Sequence, residues 1–456
     1  MKCDIAIIGA GLTGLSTAFH LSRKGKDVLV IEQSNRIGGQ IHSFNEQGFT
    51  FESGPNTGVI SYPEIAELFA ELGDSCHLAT AKEESKCRLI WKGNRFHALP
   101  SGPISAICTP LFTLKDKFRI LGEPFRARGT DPNESVGALA RRRLGKSFVD
   151  YAVDPFLSGV YAGDPMRLTT RFALPKLYNL EQNYGSFIKG SIAIAKKQKT
   201  ERDKLATKQV FSAEGGLESL TSALAQHIGL DRFLLSARHT KVTPAPEGHW
   251  VITYSDEQGE HMIEANRVVT TSGAYTLPQL LPFIQAEDMK NLSQLCYAPV
   301  IQISVGVKDT EELEFKAFGG LVPSCEKKKV LGILYPSACF NHRAPRQGAL
   351  FSFFIGGVNH AEMMNKSDEE LKALVEMEFC QMLKFPEGKK PDLIRIFRHQ
   401  HAIPQYREDS EQRYDTINKL HKQYPGLTIA GNLRDGIGMA DRIRQARQVA
   451  DEILDE

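Results

Sequence analysis

The chain opens on a strand, a glycine-rich turn and a helix, and this combination restricts the fold more than any other feature. Residues 2–8 are a short β-branched run suited to a buried parallel strand. Gly9, Gly11 and Gly14 follow in the spacing G-x-G-x-x-G, and 15–31 continue as a helix and a second buried strand. In such a unit the first glycine permits a tight turn, the second lets backbone approach a pyrophosphate, and the third lets the helix pack on the strand. The sequence therefore predicts a Rossmann-like unit that binds a dinucleotide.

An acidic residue ends the second strand. Glu32 lies 18 residues after Gly14, where a carboxylate can bind the ribose hydroxyl pair of the dinucleotide. The same negative charge repels a 2′-phosphate, so NADP is disfavoured. The unpaired N–H groups at the start of the helix would face the phosphates.

Two further segments favour FAD over NAD. Residues 36–43 read R-I-G-G-Q-I-H-S, which resembles the G-G-R-x-x-S element of the large flavoprotein family that includes amine oxidases, with Gln40 in the arginine position. Residues 429–440 read as a strand ending in Gly431-Asn432, then a glycine-rich helix start. Such proteins hold the ribityl chain and flavin ring at this second segment. The two segments lie about 400 residues apart, so we expect one FAD-binding domain with other domains inserted into it.

Motifs in the middle of the chain carry a more specific resemblance. Residues 154–165 read D-P-F-L-S-G-V-Y-A-G-D-P, 172–175 F-A-L-P, 180–186 L-E-Q-N-Y-G-S, 211–217 F-S-A-E-G-G-L and 402–406 A-I-P-Q-Y. In this order, over essentially the whole chain, they resemble the protoporphyrinogen oxidase family, the FAD-dependent, oxygen-consuming type within the amine oxidase superfamily. The glycine motif is shared with many enzymes, whereas the first and last of these elements are far more specific.

The resemblance implies an α/β architecture of the amine oxidase type. A Rossmann-like FAD-binding domain would carry an inserted mixed-sheet substrate domain and an inserted helical domain. From 98 to 205 prolines, basic residues and apolar helical stretches replace strand signals. We therefore divide the chain into FAD-binding parts at 1–80, 206–275 and 406–456, substrate-domain parts at 81–97 and 276–405, and a helical domain at 98–205 that is the candidate membrane-associating part.

Strand and helix patterns continue through the rest of the chain. We predict strands over 233–242, 250–254, 267–271, 300–307, 330–335, 349–355 and 427–430, and helices over 60–73, 217–228, 371–383 and 441–454.

The resemblance also assigns the residues around the cofactor. Asn56 would lie near the flavin, and Ala162 and Gly163 would lie beside the flavin and the substrate. The complete set of expected FAD-binding residues is Gly9, Ala10, Gly11, Leu12, Thr13, Gly14, Glu32, Gln33, Gly38, Gly39, Gln40, Gly54, Pro55, Asn56, Thr57, Val242, Gly431, Asn432, Gly438, Met439 and Ala440.

Four side chains are expected to hold the substrate by the same resemblance. Arg88 takes the place of an arginine that binds a propionate, and a planar guanidinium can grip a carboxylate with two hydrogen bonds. Leu321 and Leu334 would sandwich one ring of a tetrapyrrole, and Phe354 would stack against another. Alternatively, Arg88 is an exposed strand residue and the three apolar residues are ordinary core.

No acid, base or nucleophile stands out in the sequence. A G-x-S-x-G motif is missing, and His399 and His401 have neither metal-ligand partners nor a triad signature. The eight cysteines are scattered without C-x-x-C spacing, so we expect no metal site and a reducing compartment. We predict no catalytic group beyond the flavin, since the cofactor carries the difficult step in such enzymes.

The resemblance implies oxidation of protoporphyrinogen IX to protoporphyrin IX in haem biosynthesis. Six hydrogens leave in three two-electron steps, with oxygen as acceptor and hydrogen peroxide as product, although a quinone could replace oxygen. Coproporphyrinogen III oxidation to coproporphyrin III is a close alternative. More distant ones are an amine oxidase, a carotenoid-type desaturase, or a non-catalytic binding protein such as a prenyl-protein escort. The intact glycine set argues against the last.

Charge is concentrated in one region. The net charge of the 456 residues is only +2, which gives no global signal for nucleic acid. Residues 101–150 carry nine Lys/Arg against five Asp/Glu, and 186–210 carry seven against two. Clustered Lys/Arg can attract anionic headgroups. A solvated basic face, or attraction of an acidic substrate, would explain the same charge.

We expect a cytoplasmic enzyme attached peripherally to the inner face of the cell membrane. Apolar surface for this contact would come from Phe112, Leu114, Phe118, Ile120 and Leu121. The sequence shows no spanning segment and no signal peptide, and its first strand leaves no room for a transit peptide. By family analogy the chain is expected to form a homodimer.

Overall fold

A computed structural model describes all 456 residues apart from the side chain of Pro103. The strands are β1 (Lys2–Ile8), β2 (Val28–Ile31), β3 (Ser43–Glu46), β4 (Phe49–Glu52), β5 (Gly58–Val59), β6 (Leu78–Thr80), β7 (Arg88–Lys92), β8 (Arg95–Ala98), β9 (Val210–Ala213), β10 (Phe233–Leu234), β11 (Arg238–Pro244), β12 (Trp250–Asp256), β13 (Gly259–Thr270), β14 (Tyr297–Val307), β15 (Gly319–Leu321), β16 (Val330–Leu334), β17 (Ala349–Gly356), β18 (Leu393–Pro404) and β19 (Leu427–Ile429).

The helices are α1 (Leu12–Ser22), α2 (Pro63–Leu72), α3 (Pro103–Cys108), α4 (Leu114–Leu121), α5 (Val136–Arg143), α6 (Lys146–Phe148), α7 (Asp154–Val160), α8 (Thr170–Ala173), α9 (Pro175–Tyr184), α10 (Phe187–Ala195), α11 (Glu201–Lys204), α12 (Glu218–Ile228), α13 (Leu277–Leu280), α14 (Ala286–Ser293), α15 (Pro336–Cys339), α16 (Asp368–Leu383), α17 (Ser410–Gln423) and α18 (Met439–Asp455).

The first sheet has the strand order β10-β2-β1-β13-β12-β11, with β19 also paired to β13. Strands β10, β2, β1, β13 and β19 run parallel, and β11 to β13 form an antiparallel meander. Along β1, Ile5 and Ile7 enter a core with α1, α2, α12 and α18, whereas Ala6 and Ile8 enter a second core on the other face. Burial on both faces explains the continuous apolar runs of β1 and β2. The predicted α/β organisation is confirmed.

The prediction of a single strand over 233–242 is wrong, because this segment forms two strands, β10 and β11. Ser236 has a φ of +57° between them. Its N–H donates to Ser34 O, and the N–H of Ala237 donates to Glu32 O. These bonds turn the chain, so that β10 pairs parallel to β2 and β11 pairs antiparallel to β12.

The second sheet is mixed and has the order β18-β14-β17-β16-β15-β7-β8. Its hairpin β7–β8 precedes the other strands by some two hundred residues, and β7 joins them parallel to β15. One face packs on α16 through residues such as Ile303, Ile333, Phe353 and Phe379. The opposite face meets β4 and the segment after it, because Gln302 Nε2 donates to Glu52 O at 2.6 Å.

Helices α13 and α14 pack with the first sheet although they lie in the range that we assigned to the substrate domain. Leu277, Leu280 and Leu292 belong to the core beneath β11–β13. The chain therefore passes from the elements around the first sheet to the second sheet close to the start of β14.

A helical region, α3 to α11, lies between β8 and β9. A buried ion network connects its helices: Arg143 and Glu123 are both 0% exposed and pair directly, and Arg143 Nε donates to Glu181 Oε1 at 2.5 Å. Phe112, which we expected on the surface, is instead buried and stacks on Phe148 with ring centroids 3.8 Å apart. Over the described part of the chain, no helix has both the length and the apolar character needed to cross a bilayer.

Candidate functional site

The first glycine turn combines tight packing with open space. Gly9 has a φ of +107°, and a Cβ there would lie 2.8 Å from Thr271 Oγ1. A Cβ on Gly14 would lie only 2.0 Å from Gly9 O, so helix and turn touch. A Cβ on Gly11, by contrast, would meet no atom within 4 Å. The start of α1 also lacks a side-chain cap. This arrangement leaves room and free N–H donors for a pyrophosphate.

Glu32 is fixed beside this turn. Its side chain accepts hydrogen bonds from Ala10 N at 2.7 Å and from the N–H and hydroxyl of Ser34 at 2.9 and 2.8 Å. The residue is only 9% exposed. The carboxylate is therefore held at the end of β2, next to the first glycine turn, as the sequence pattern requires.

The second glycine loop touches the first. Gly38 N donates to Ala10 O at 2.8 Å, and a Cβ on Gly39 would lie 3.1 Å from Gly11 Cα. Arg36, which the sequence analysis did not single out, donates to the carbonyls of Ile37, Gly39 and Ile41 and so holds the loop in shape. The position of this arginine just before the Gly38–Gly39 pair could have indicated its role in the sequence.

Gln40 connects this loop to the second sheet. Its amide donates to the carbonyls of His401 at 3.2 Å and Ala402 at 3.4 Å, in β18. Its own carbonyl lies against Gly54, where a Cβ would be 2.1 Å away. The side chain therefore joins the second glycine loop to the second sheet at the position where similar flavoproteins carry arginine.

Asn56 is held by the second sheet. It is 6% exposed; its Oδ1 accepts from Ser352 Oγ at 2.8 Å, and its Nδ2 donates to Gly54 O at 3.0 Å. Glu52, just before this segment, pairs with Arg343 at 2.8 Å, with both side chains nearly inaccessible to solvent. No local pattern indicates this pair, since its two members are distant along the chain.

The C-terminal segment contains the third group of predicted cofactor residues. Gly431 has a φ of +96°, and its N–H donates to Gln445 Oε1 at 2.8 Å. Asn432 accepts from Tyr406 through its carbonyl at 2.9 Å and from Tyr297 through its side chain at 3.2 Å. Burial raises the pKa of Tyr297 to about 12, so its phenol keeps the proton it donates.

The remaining predicted cofactor residues differ in their exposure. Val242 lies in β11 and its side chain is fully buried in the core of the first sheet, so only its main chain is available to a cofactor. Gly438 caps α18, and Met439 and Ala440 are buried in its first turn. Ala10, Leu12 and Thr13 are buried, Pro55 and Thr57 are half-buried, and Gln33 is exposed.

The strand register brings the four predicted substrate residues to one face of the second sheet. Phe354 lies opposite Gly332, which lies opposite Leu321. In the neighbouring row, Leu334 and Arg88 both lie opposite Gly319. Residues directly opposite each other project to the same side. Ser352 lies opposite Leu334 on this face, and Asn56 bonds to it, so the face is directed at the cofactor segments.

The four side chains have different surroundings. Leu321 approaches α7 so closely that a Cβ on Gly159 would lie 2.4 Å from its Cδ2. Leu321, Leu334 and Phe354 are half-buried. Arg88 is exposed, with its guanidinium carbon 5.4 Å from the centroid of the Phe318 ring.

Ala162 and Gly163 form a strained turn at the end of this face. Ala162 has a φ of +47°, and its carbonyl accepts from Val358 N at 2.9 Å. A Cβ on Gly163 would lie 2.3 Å from Gln405 Oε1, and Gln405 Nε2 donates to Tyr161 O at 2.7 Å. Gln405 thus fixes the turn, a role that the A-I-P-Q-Y motif could have indicated.

Comparisons with known proteins agree with this geometry. The family model of flavin-containing amine oxidoreductases matches residues 12–454. The mitochondrial protoporphyrinogen oxidase of Nicotiana tabacum is 30% identical, over 99% of this chain and 94% of its own, and the protoporphyrinogen oxidase of Homo sapiens is 28% identical over 100% and 99%.

Solved structures show the same fold. A protein from Exiguobacterium sp., described as a putative protoporphyrinogen oxidase, has a TM-score of 0.82 at 23% identity, covering 100% of this chain and 99% of its own. Cyclohexylamine oxidase from Brevibacterium oxydans has a TM-score of 0.72 at 16% identity, covering 100% of both chains.

The resemblance found in the sequence, the FAD cofactor and the amine oxidase-like fold are thereby confirmed. The glycine turns, the fixed Glu32 and the open side of Gly11 fit FAD. The chain is an FAD-dependent oxidoreductase. It belongs to the family of flavin-containing amine oxidoreductases.

Proposed function

We propose that the enzyme oxidises protoporphyrinogen IX to protoporphyrin IX in haem biosynthesis, with oxygen as the electron acceptor. The observation that carries the proposal is the composition of one sheet face: Leu321, Leu334 and Phe354 lie there with the cation Arg88. A large flat apolar ligand with acidic tails suits such a surface. The names of relatives up to 30% identical across nearly the whole chain support the same substrate.

Each of the chain's own residues has a positional task in this reaction. Arg88 binds a propionate carboxylate, and the three apolar side chains contact the faces of the macrocycle. Asn56, held by Ser352, stands where this face meets the cofactor segments. FAD, when bound, supplies the acceptor for a hydride from the substrate carbon.

The balance of the reaction follows from the substrate and product. Three two-electron steps remove six hydrogens, and each step removes one hydrogen as a hydride and one as a proton. Three molecules of oxygen take up these hydrogens and become three molecules of hydrogen peroxide.

A side-by-side turnover assay tests the proposal. Purified enzyme at matched flavin content is mixed in air with protoporphyrinogen IX or coproporphyrinogen III, and porphyrin fluorescence is followed. Faster formation of protoporphyrin supports the proposal. Faster formation of coproporphyrin moves the activity to the four-carboxylate substrate, and no porphyrin from either contradicts a porphyrinogen oxidase. The flavin-free variant Gly11→Val corrects for spontaneous oxidation.

We also propose that the helical region attaches the enzyme peripherally to the cytoplasmic face of a membrane. Ile104 and Ile107 of α3, Leu114, Phe118 and Leu121 of α4, and Phe125 are each 69% exposed or more. Lys117 joins α3 to α4 by donating to Ile107 O, and Lys189 of α10 lies over the Phe125 ring at 5.7 Å. A contiguous apolar surface with basic side chains around it is typical of a membrane contact.

Vesicle sedimentation tests this attachment. Phe118→Glu should abolish binding to vesicles that contain anionic lipid, and high salt should weaken the binding of the unmodified protein. Leu230→Glu is the matched control, because Leu230 is 69% exposed but lies in the first-sheet domain. Equal sedimentation of all three proteins would contradict the proposal. The homodimer implied by the resemblance stays a prediction for analytical ultracentrifugation.

A further inference from the structure

An aromatic cluster connects the cofactor-binding segments, and neither the predicted cofactor set nor the substrate face includes it. Tyr275 follows β13, Tyr297 begins β14, and His401 lies near the end of β18. The rings of Tyr275 and His401 stack with centroids 4.0 Å apart and an 18° angle between their planes. Tyr297 meets these rings edge-on, at 5.5 Å from Tyr275 and 5.9 Å from His401.

The Tyr275 side of the cluster is tied to the first glycine turn. Thr271 Oγ1 donates to the carbonyls of Ile8 at 3.1 Å and Gly9 at 3.2 Å. The Tyr275 ring folds over Gly273, where a Cβ would lie 2.5 Å from a ring carbon. Burial raises the pKa of the Tyr275 phenol, and the Glu32 carboxylate raises it further by a smaller amount. The ring therefore lies near Glu32, the predicted ribose-binding acid.

The His401 side is tied to the second glycine loop. Gln40 donates to the carbonyl of His401 at 3.2 Å, and the loop that carries Gln40 bonds back to Ala10 through Gly38. Tyr297 reaches the third segment, since its hydroxyl donates to Asn432 Oδ1 at 3.2 Å. Three separate cofactor segments therefore meet at one aromatic cluster.

The stack also joins the two sheets. Tyr275 belongs to the loop after the first sheet, whereas His401 belongs to the second sheet. Tyr275 is nevertheless 47% exposed, so the contact lies at the protein surface rather than in either core. We propose that the stacked Tyr275–His401 pair is a clasp that closes the dinucleotide cleft and slows the release of FAD.

The release rate of FAD measures the clasp directly. Holoprotein is diluted into an excess of a flavin-scavenging protein, and flavin fluorescence is followed. Tyr275→Ala and His401→Ala should each accelerate release by about 2- to 13-fold, the range expected for one aromatic pair. The double variant should release FAD no faster than either single variant, because both changes remove the same contact.

A second tyrosine–histidine stack provides the control. Tyr254 and His261 stack on β12 and β13 with centroids 4.9 Å apart and a 22° angle. His261→Ala should leave FAD release unchanged. Tyr275→Phe keeps the stack and should release FAD at the rate of the unmodified protein. If Tyr275→Ala does not fold, Tyr275→Leu replaces it.

Unchanged release in both alanine variants would overturn the clasp, even if their thermal stability fell. Additive acceleration in the double variant would overturn it as well, since independent effects are not a shared contact. The readout is cofactor release and not turnover, so a failure here leaves the proposed porphyrinogen oxidation untouched.

Discussion

The two sheets differ in what they present at the candidate site: the first presents mainly main-chain atoms, and the second presents side chains. At the first sheet, Gly9 and Gly38 let the glycine turns pack tightly, Gly11 leaves open space beside the main chain, and side chains such as Glu32 hold the loops in place. At the second sheet, side chains from separate strands form a surface, and the main chain only sets their order. A main-chain site depends on a short contiguous motif, whereas a side-chain surface depends on pairing between distant segments.

The largest effect is expected where a buried ion pair joins the β3–β4 hairpin to the segment that precedes β17. Arg343→Met should lower the free energy of unfolding by about 3–5 kcal/mol, because it leaves the buried Glu52 carboxylate without its cation. Chemical denaturation measures this change. Arg395→Met is the control: Arg395 pairs with Glu46 at the exposed edge of the same contact, so about 1 kcal/mol or less should be lost. Equal losses in the two variants would show that burial does not distinguish the pairs.

The first turn contains a tightly packed glycine, Gly14, and a glycine beside open space, Gly11. Substitutions at the two positions should therefore affect stability and cofactor binding separately. Gly14→Ala should cost about 3 kcal/mol of stability, because its Cβ would collide with Gly9 O. Gly11→Val should keep the stability of the flavin-free protein but abolish flavin retention, because the space beside Gly11 is open in the protein itself. Denaturation of flavin-free protein and the flavin content after purification measure both. A fully flavinated Gly11→Val protein would contradict the placement of the cofactor.

The same contrast explains what the sequence could and could not predict. The glycine turns, Glu32 and the α/β class follow from local spacing, because each requirement is met within some thirty residues. Leu321, Leu334 and Phe354 look like ordinary core in isolation, and only the resemblance to a family singled them out. Their common face is set by the pairing of β15, β16 and β17, and β7, more than two hundred residues earlier in the chain, adds Arg88 to it.

Other features depended wholly on the tertiary structure. The Glu52–Arg343 pair and the Tyr275–His401 stack join residues far apart in sequence, so no spacing rule could find them. Phe112 was expected to add apolar surface to a membrane-associating helical domain, but the stack with Phe148 buries it. The division of 233–242 into two strands follows from main-chain hydrogen bonds to Glu32 and Ser34, which lie just after the end of β2.

On the side-chain surface, Arg88→Ala should reduce kcat/KM for a porphyrinogen by about 30-fold, or about 2 kcal/mol, through the loss of a charged hydrogen bond to a carboxylate. FAD affinity and stability should not change, since Arg88 is exposed and lies on β7 of the second sheet rather than in a glycine turn. Arg95→Ala, an exposed arginine on the adjacent strand β8, is the control and should leave kcat/KM unchanged. Equal kinetics for the Arg88 variant and the unmodified enzyme would remove Arg88 from the site.

The smallest effect concerns pH and the first-sheet domain. Burial lowers the pKa of His421 from 6.5 to about 4, and its Nε2 accepts the N–H of Ile429 at 2.8 Å. The unfolded chain therefore binds a proton that the folded protein excludes, so stability is complete above pH 6.5 and falls as the pH drops toward 4. His421 alone should account for a loss of about 1.4 kcal/mol at pH 5.5, and His20, whose pKa burial also lowers to about 4, adds to the loss over the same range. His421→Gln should flatten this part of the stability profile, and an unchanged slope would exclude His421 as its source.

The most direct test of the account is anaerobic mixing of the flavin-loaded enzyme with protoporphyrinogen IX, followed by the visible absorbance of the flavin. The account predicts that the absorbance bleaches, because one FAD takes up the two electrons of one step, and that it returns when air is admitted, with formation of porphyrin and hydrogen peroxide. A flavin that stays oxidised in the presence of the porphyrinogen would contradict it.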